Sequence, residues 1–303
     1  MLQQLVNGIS LGSMYALIAL GYTMVYGVLK LINFAHGEVF MVGAFVGLGA
    51  MAVLHLPLVG ALLLAMAAAA LLGVAIERGA YRHLRNAPRL STLITAIGVS
   101  LLLQNLGVIF LGAAPRSYPQ PISSDPVSWP QDHLGVVVSL QQVAIVLATG
   151  AVLLILHLIV SRTRIGKAMR AVSEDRQAAQ LMGINIDRVI SFTFALGSAI
   201  AAVGGVFYGI YCRQADPLMG LMPGIKAFVA AVLGGIGSIP GAMLGGLLVG
   251  LVETGVSSVT WHITSTVTLT GSTLRDGVAF AVLILVLLVR PTGLLGRVGR
   301  EKV

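Results

Sequence analysis

Residues 161–188 read SRTRIGKAMRAVSEDRQAAQLMGINIDR, a charged island between two apolar runs, Gln142 to Val160 and Val189 to Tyr211. The island carries Arg162, Arg164, Lys167, Arg170, Arg176 and Arg188 against Glu174, Asp175 and Asp187. Cationic loops resist translocation, so a basic island between two membrane-length runs belongs on the cytoplasmic side. The flanking runs are then crossings of opposite direction, and the rest of the chain hangs from them. Within the island, Ser173 is placed to N-cap a short helix from Glu174 to Met182, with Glu174 and Asp175 in the first turn, where the helix dipole favours anions. Gly183 stands where a helix ends in left-handed geometry. Leu181 and Met182, followed by Ile184 and Ile186, put apolar side chains in a segment that water should surround. Such a patch calls either for a partner or for packing against the chain's own membrane helices, and both stay open at this point.

Composition widens this local reading to the whole chain. Hydrophobic residues make up 57% of the 303 and charged residues 10%, with a mean hydropathy of +0.94. Soluble domains carry about 25% charged residues. Apolar stretches of membrane-crossing length recur between polar breaks, and the alternation of a β-barrel is absent. The fold class is therefore all-α: a polytopic transmembrane helical bundle of about eight apolar segments, forming a single domain over residues 1–303. The net charge of +8 gathers at the ends of apolar runs, which topology explains and nucleic-acid binding does not. Cys212 is the only cysteine, which excludes an intrachain disulfide or a cysteine metal cluster. The N-terminal run lacks a basic leader region and is expected to stay as the first span.

Taken in order, the apolar segments are Leu5 to Leu29, Val39 to Val53, Leu58 to Ile76, Ser91 to Gly112, Gln142 to Val160, Val189 to Tyr211, Lys226 to Val256 and Gly277 to Val289. The first carries Asn7, Ser10, Ser13, Tyr15, Tyr22, Thr23 and Tyr26, hydrogen-bonding groups that a helix facing only lipid would not need, so it should face other protein. After it, Asn33, His36 and Glu38 fall close together in KLINFAHGE; ionisable groups at a membrane edge are candidates for a pathway or gate because burying them is costly. The plainer alternative is an edge loop with Glu38 capping or pairing with Lys30 or His36. A second basic loop with Arg78, Arg82, Arg85 and Arg89 falls on the same side as residues 161–188 without adjustment, and Trp129 in the Pro- and Ser-rich segment Ala113 to Ser139 suits an outer interface. Arg290, Arg297, Arg300 and Lys302 put the C-terminus inside as well. Lys226 to Val256 is too long for one span and is interrupted by Gly234, Gly235, Gly237 and Pro240, the pattern of a broken helix or re-entrant hairpin. Such breaks line substrate paths in transporters; tight glycine packing between helices produces the same pattern. Glu253 lies near the end of this segment.

Several stretches, in the same order along nearly the whole chain, carry a resemblance: YALIALGYTMVYGVLKLINFAHGE from Tyr15, AYRHLRNAPRL from Ala80, RIGKAMRAVSEDRQAAQLMGIN from Arg164, KAFVAAVLGGIGSIPGAMLGG from Lys226 and LVRPTGLLG near the end. The chain resembles the membrane subunits of bacterial ABC importers for branched-chain amino acids. That resemblance implies a subunit of the bacterial inner membrane. It would work with a second related permease subunit or a second copy, two cytoplasmic ATPase subunits and a periplasmic substrate-binding protein. It also implies that residues 161–188 form a cytoplasmic coupling loop, with Ser173, Glu174, Asp175, Ala178, Ala179, Leu181, Met182 and Gly183 docking an ATPase subunit. No Walker A loop occurs in the sequence, so the chain is read as a transport subunit, not an enzyme. It has no cofactor of its own, and its partners use the ATP. A urea or short-amide permease of the same kind is the nearest alternative, and a gradient-driven carrier comes from another class; the latter would need an intramembrane charge relay, for which Glu38, His36 and Glu253 are thin candidates.

Overall fold

The computed structural model describes residues 2–85, 87–123, 125–127, 135–264, 267–290 and 292–296. Trp129, Arg297, Arg300 and Lys302 lie outside them. The described chain is all-α and polytopic: α1 (Leu2–Leu29), α2 (His36–Ala52), α3 (Leu58–Ile76), α4 (Arg89–Leu111), α5 (Leu140–Arg162), α6 (Arg164–Glu174), α7 (Arg176–Leu181), α8 (Ile186–Cys212), α9 (Leu221–Gly234), α10 (Ile239–Ser257) and α11 (Gly271–Val289). Helices α1, α3, α4, α5, α8 and α10 are long and apolar enough to cross a membrane, and α2 and α9 are shorter apolar helices. Helices dominate because, in hydrocarbon, each backbone amide must be satisfied within its own segment. The second basic loop is itself mostly helical: α3 runs on through a π turn, Glu77–Tyr81, into a 3-10 turn, Arg82–Leu84.

Helices α1, α2 and α8 form the core, with α1 and α8 buried along most of their length. Around them α3, α4 and α5 turn Leu63, Leu71, Ile94, Ile109, Phe110 and Leu147 outwards, the apolar surface a membrane protein presents to lipid. The polar groups of α1 divide in two. Ser10 and Ser13 donate to the carbonyls of Val6 and Ile9 in their own helix, at 2.9 and 2.7 Å, whereas the Tyr15 hydroxyl reaches Glu253 of α10 at 2.8 Å.

Helix α1 packs closely along α10, and small residues four apart make that approach possible. Gly8, Gly12 and Ala16 on α1 meet Gly246, Gly250 and Thr254 on α10. A Cβ added to Gly12 would stand 2.7 Å from Leu247 Cα, and one added to Gly246 would stand 2.5 Å from the Ala16 amide nitrogen. In a membrane, where the hydrophobic effect does not drive helices together, this close backbone contact supplies much of the association.

The segment Lys226 to Val256 is a helical hairpin, with α9 returning as α10. Gly235 and Gly237 turn the chain with φ of 105° and 94°, values an L side chain rarely adopts. Ser238 Oγ then accepts from the Gly241 amide at 3.2 Å, and Pro240 sits in the first turn, where its missing N–H costs nothing. Gly234 packs on Gly241 and Gly245 on Ala230, so close helix contact accounts for these glycines. The amides of Leu294 and Leu295 satisfy the carbonyls of Leu233 and Gly234 at the end of α9.

The bundle has two distinct ends. At the basic end, the hairpin turn Gly235–Ser238 lies beside Gly27 near the C-terminus of α1, and Arg82 and Arg85 pair with Asp187 at the start of α8. At the opposite end, β1 (Arg116–Ser117) pairs antiparallel with β2 (Gln214–Ala215), and Gln3 bonds to the backbone of Val137. A second antiparallel pair, β3 (Thr260–Thr264) with β4 (Val267–Thr270), precedes α11, so the last helix begins before the expected Gly277.

Candidate functional site

Residues 161–188 fold as a braced elbow. Thr163 ends α5 and caps α6, its hydroxyl oxygen accepting from the Gly166 amide at 3.1 Å. Gly166 packs against the carbonyls of Ile159 and Val160, where a side chain would collide, and the Arg170 guanidinium donates to Val160 O. Helix α6 is amphipathic: Gly166, Met169 and Val172 are buried on one face, while Arg164, Lys167 and Arg170 are exposed.

The cap differs from the one read off the sequence. Ser173 and Glu174 belong to the last turn of α6, and the Ser173 hydroxyl donates back to Arg170 O at 2.7 Å. Asp175 breaks the helix with extended backbone and caps α7, its Oδ1 accepting from the amides of Gln177 and Ala178 at 2.9 and 3.0 Å. The expected single helix from Glu174 to Met182 is thus the end of one helix and the whole of a shorter one. Three burial positions on α6 favour extending it through Glu174, and Asp175 is then the first residue free to cap. Gly183, with φ of 81°, closes α7 as expected: its amide donates to Gln180 O and the Ile184 amide to Ala179 O, both at 3.0 Å.

Two contacts hold α7 to the bundle. Arg176 donates to Leu29 O at 2.6 Å, capping the C-terminus of α1, and Ala179 is buried in the core. Burial first, and then the Arg85 charge nearby, pull Arg176 below the usual guanidinium range. The other face is bare: Leu181 is 89% and Met182 83% exposed. The patch thus divides between the two alternatives: Ile184 and Ile186 pack against the chain's own core, whereas Leu181 and Met182 do not. Beside them opens a cleft of about 870 Å³ lined by Arg82, Arg85, Arg176, Gln180 and Asp187. Asp187 there pairs with both Arg82 and Arg85, and Arg85 also pairs with Glu77.

The second group, Asn33, His36 and Glu38, is buried, not at an exposed edge. Asn33 Oδ1 accepts from the Ala35 amide at 3.1 Å and from the Tyr81 hydroxyl at 2.9 Å, which shapes the break between α1 and α2. The His36 ring packs edge-on against Tyr22, 4.9 Å between centroids, in the space that Gly21 leaves open. Glu38 makes no ion pair with Lys30 or His36. Its one hydrogen bond runs from Ser100 Oγ on α4 to Oε1 at 3.5 Å, and Oε2 has no partner among the described residues.

The family model for the permease component of the branched-chain amino acid transport system matches residues 4–287. The chain belongs to this family. It is 47% identical to the high-affinity branched-chain amino acid transport system permease protein BraD of Pseudomonas aeruginosa, over 100% of this chain and 98% of that one. It is 44% identical to the corresponding protein LivH of Escherichia coli K12, over 100% and 97%. The solved structure of PsaBC from Streptococcus pneumoniae in complex with Fab aligns over 94% of this chain and 91% of that chain, at 13% identity and a TM-score of 0.47.

This permease also contains a buried charge cluster that the sequence reading missed apart from Glu253. Lys226 Nζ donates to Glu253 Oε1 at 2.8 Å and lies 2.7 Å from Asp276 Oδ1, while Tyr15 donates to Glu253 Oε2. The cluster ties α1, α9, α10 and α11 together. Lys226 inside an apolar run was the signal that could have found it, since a cation there needs an acid partner.

Proposed function

We propose that this permease is the membrane-spanning translocation subunit of an ATP-driven importer for branched-chain amino acids in the bacterial inner membrane. It works with a second permease subunit, two separate ATPase subunits and a periplasmic binding protein. The basic end is cytoplasmic, and α7 is the coupling element that enters an ATPase subunit. The observation that carries this reading is the pairing of Leu181 and Met182, both bare, with an elbow clamped from behind by Arg176 and Ala179. Burying each such side chain in a partner is worth about 1.5–3 kcal/mol, and a clamped helix passes the partner's motion to α1 and α8. Mixed charges around the cleft set the orientation of docking.

The test is co-expression with the candidate ATPase, permease and binding-protein subunits, purification through a tag on this chain, and uptake in proteoliposomes. The expected result is a stable complex that imports leucine, isoleucine and valine only with ATP and binding protein. Uptake driven by an ion gradient without ATPase subunits would replace this reading with a gradient-driven carrier. Import of urea or short amides in place of the amino acids would move it to that branch of the permeases.

A further inference from the structure

Three carboxylates are buried among the described residues, and two of them have a cation in contact. Glu77 holds Arg85 and accepts from Ser191 Oγ at 2.7 Å; Glu253 holds Lys226 and accepts from Tyr15. Glu38, 1% exposed, has only the long bond from Ser100. A buried carboxylate without a counter-ion is expensive, which makes an intramembrane acid of this kind a candidate functional group. Two helix ends hold it ready. Glu38 lies in the first turn of α2, and its Oε2 packs against Gly220 just before α9, so the positive ends of both dipoles favour the anion without using its lone pairs.

The carboxylate lines a cavity of about 200 Å³ between α1, α2, α4 and α9. This is smaller than the roughly 300–1,000 Å³ of sites for drug-sized ligands. Apart from Glu38, Ser100 and Gln104, its walls are largely apolar: Tyr22, Ile97, Leu101 and Ile225 face it. A single carboxylate set in a largely apolar wall of aliphatic and aromatic side chains suits a small molecule with a cationic head and a branched apolar body. We infer that Glu38 and this cavity form a subsite on the translocation path that receives the α-ammonium and aliphatic side chain of the transported amino acid. The inference rests on the proposed function and names where in this chain the substrate is felt. Glycine at position 220 matters to it. A Cβ there would stand 2.7 Å from Glu38 Oε2, so only a bare backbone lets the start of α9 come this close to the carboxylate.

The experiment places a thiol in the cavity wall, Leu101→Cys with Cys212→Ser, in the assembled importer in proteoliposomes, and follows its reaction with a water-soluble methanethiosulfonate. Leucine and 3-methylbutylamine, which carry the ammonium, should slow labelling, whereas 4-methylpentanoate, which lacks it, should not. Adding Glu38→Gln should raise the leucine concentration needed for protection by roughly tenfold or more, the loss of one charge-assisted hydrogen bond. If that variant does not assemble, the comparison of the three ligands on intact Glu38 decides alone. Equal protection by leucine and 4-methylpentanoate overturns the subsite, as does protection undiminished by Glu38→Gln. So does a thiol that the reagent never reaches, or that leucine never protects, in an importer that takes up leucine. An importer that takes up no branched-chain amino acid refutes the proposed function instead.

Discussion

The α1–α10 seam and the elbow Asp175–Gly183 place small and apolar residues to opposite ends. In the seam, glycines bring two backbones into contact and the remaining charge, Glu253, is answered by Lys226 and Tyr15, so nothing is left over. In the elbow Asp175 takes the amides of Gln177 and Ala178 and the turn at Gly183 takes the carbonyls of Gln180 and Ala179, yet the apolar side chains of Leu181 and Met182 are exposed. The seam thus holds the chain together, whereas the exposed face of the elbow contributes nothing to the chain's own packing and is, on the proposed function, the part that holds an ATPase subunit. A substitution in the seam should therefore cost folding, and one on the bare face of the elbow should cost only association.

The largest effect is expected from Gly250→Leu. Its side chain would meet the backbone of Gly12, which cannot rotate away, so the cost exceeds the roughly 1–3 kcal/mol of ordinary overpacking. Gly98→Leu, on α4 with open space around it, serves as the matched control. Size-exclusion chromatography of detergent extracts should show the control monodisperse and Gly250→Leu lost to aggregate; equal behaviour of the two would remove the seam from the account.

Next comes Lys226→Met, which leaves Glu253 buried beside Asp276 with no cation but the more distant Arg275. Breaking a buried pair from one side costs about 3–5 kcal/mol. Thermal unfolding of the purified chain should drop markedly, and adding Glu253→Gln should restore part of the loss. A double variant no better than the single would show that Lys226 acts by packing and not by charge.

The smallest effect belongs to Asp175→Ala. Losing the cap of α7 costs about 1 kcal/mol, confined to that helix. Hydrogen exchange should quicken at the amides of Gln177 and Ala178 while global unfolding stays in place. Unchanged exchange there would mean that Arg176 and Ala179 alone keep α7 folded.

Much of the fold is legible in the sequence because lipid imposes one rule on every span. Leu58–Ile76 has the same limits in both readings, and the glycine-interrupted run is the broken helix that its length demands. Gly183 is legible because a left-handed helix end is a local event. Ser173 misleads for the opposite reason: serine and aspartate both cap helices, and the choice between them is made by Met169 and Val172 burying the face of α6, a tertiary fact. Glu38 is visible as an intramembrane acid, but its lack of a counter-ion among the described residues depends on what α4 and α9 bring near it, which no local pattern contains. Lys226 was hidden by the apolar run around it, although its charge alone marked it.

Leu181→Asp with Met182→Asp in the co-expressed complex removes the bare face through which, on the proposed function, the elbow docks an ATPase subunit. Both side chains stand in solvent in the isolated chain, so insertion, yield and thermal unfolding of the permease should match the parent. With docking through this face, ATPase subunits should no longer co-purify with the variant, or substrate-stimulated hydrolysis and leucine uptake should fall together. Association, hydrolysis and uptake all at parental levels would contradict it.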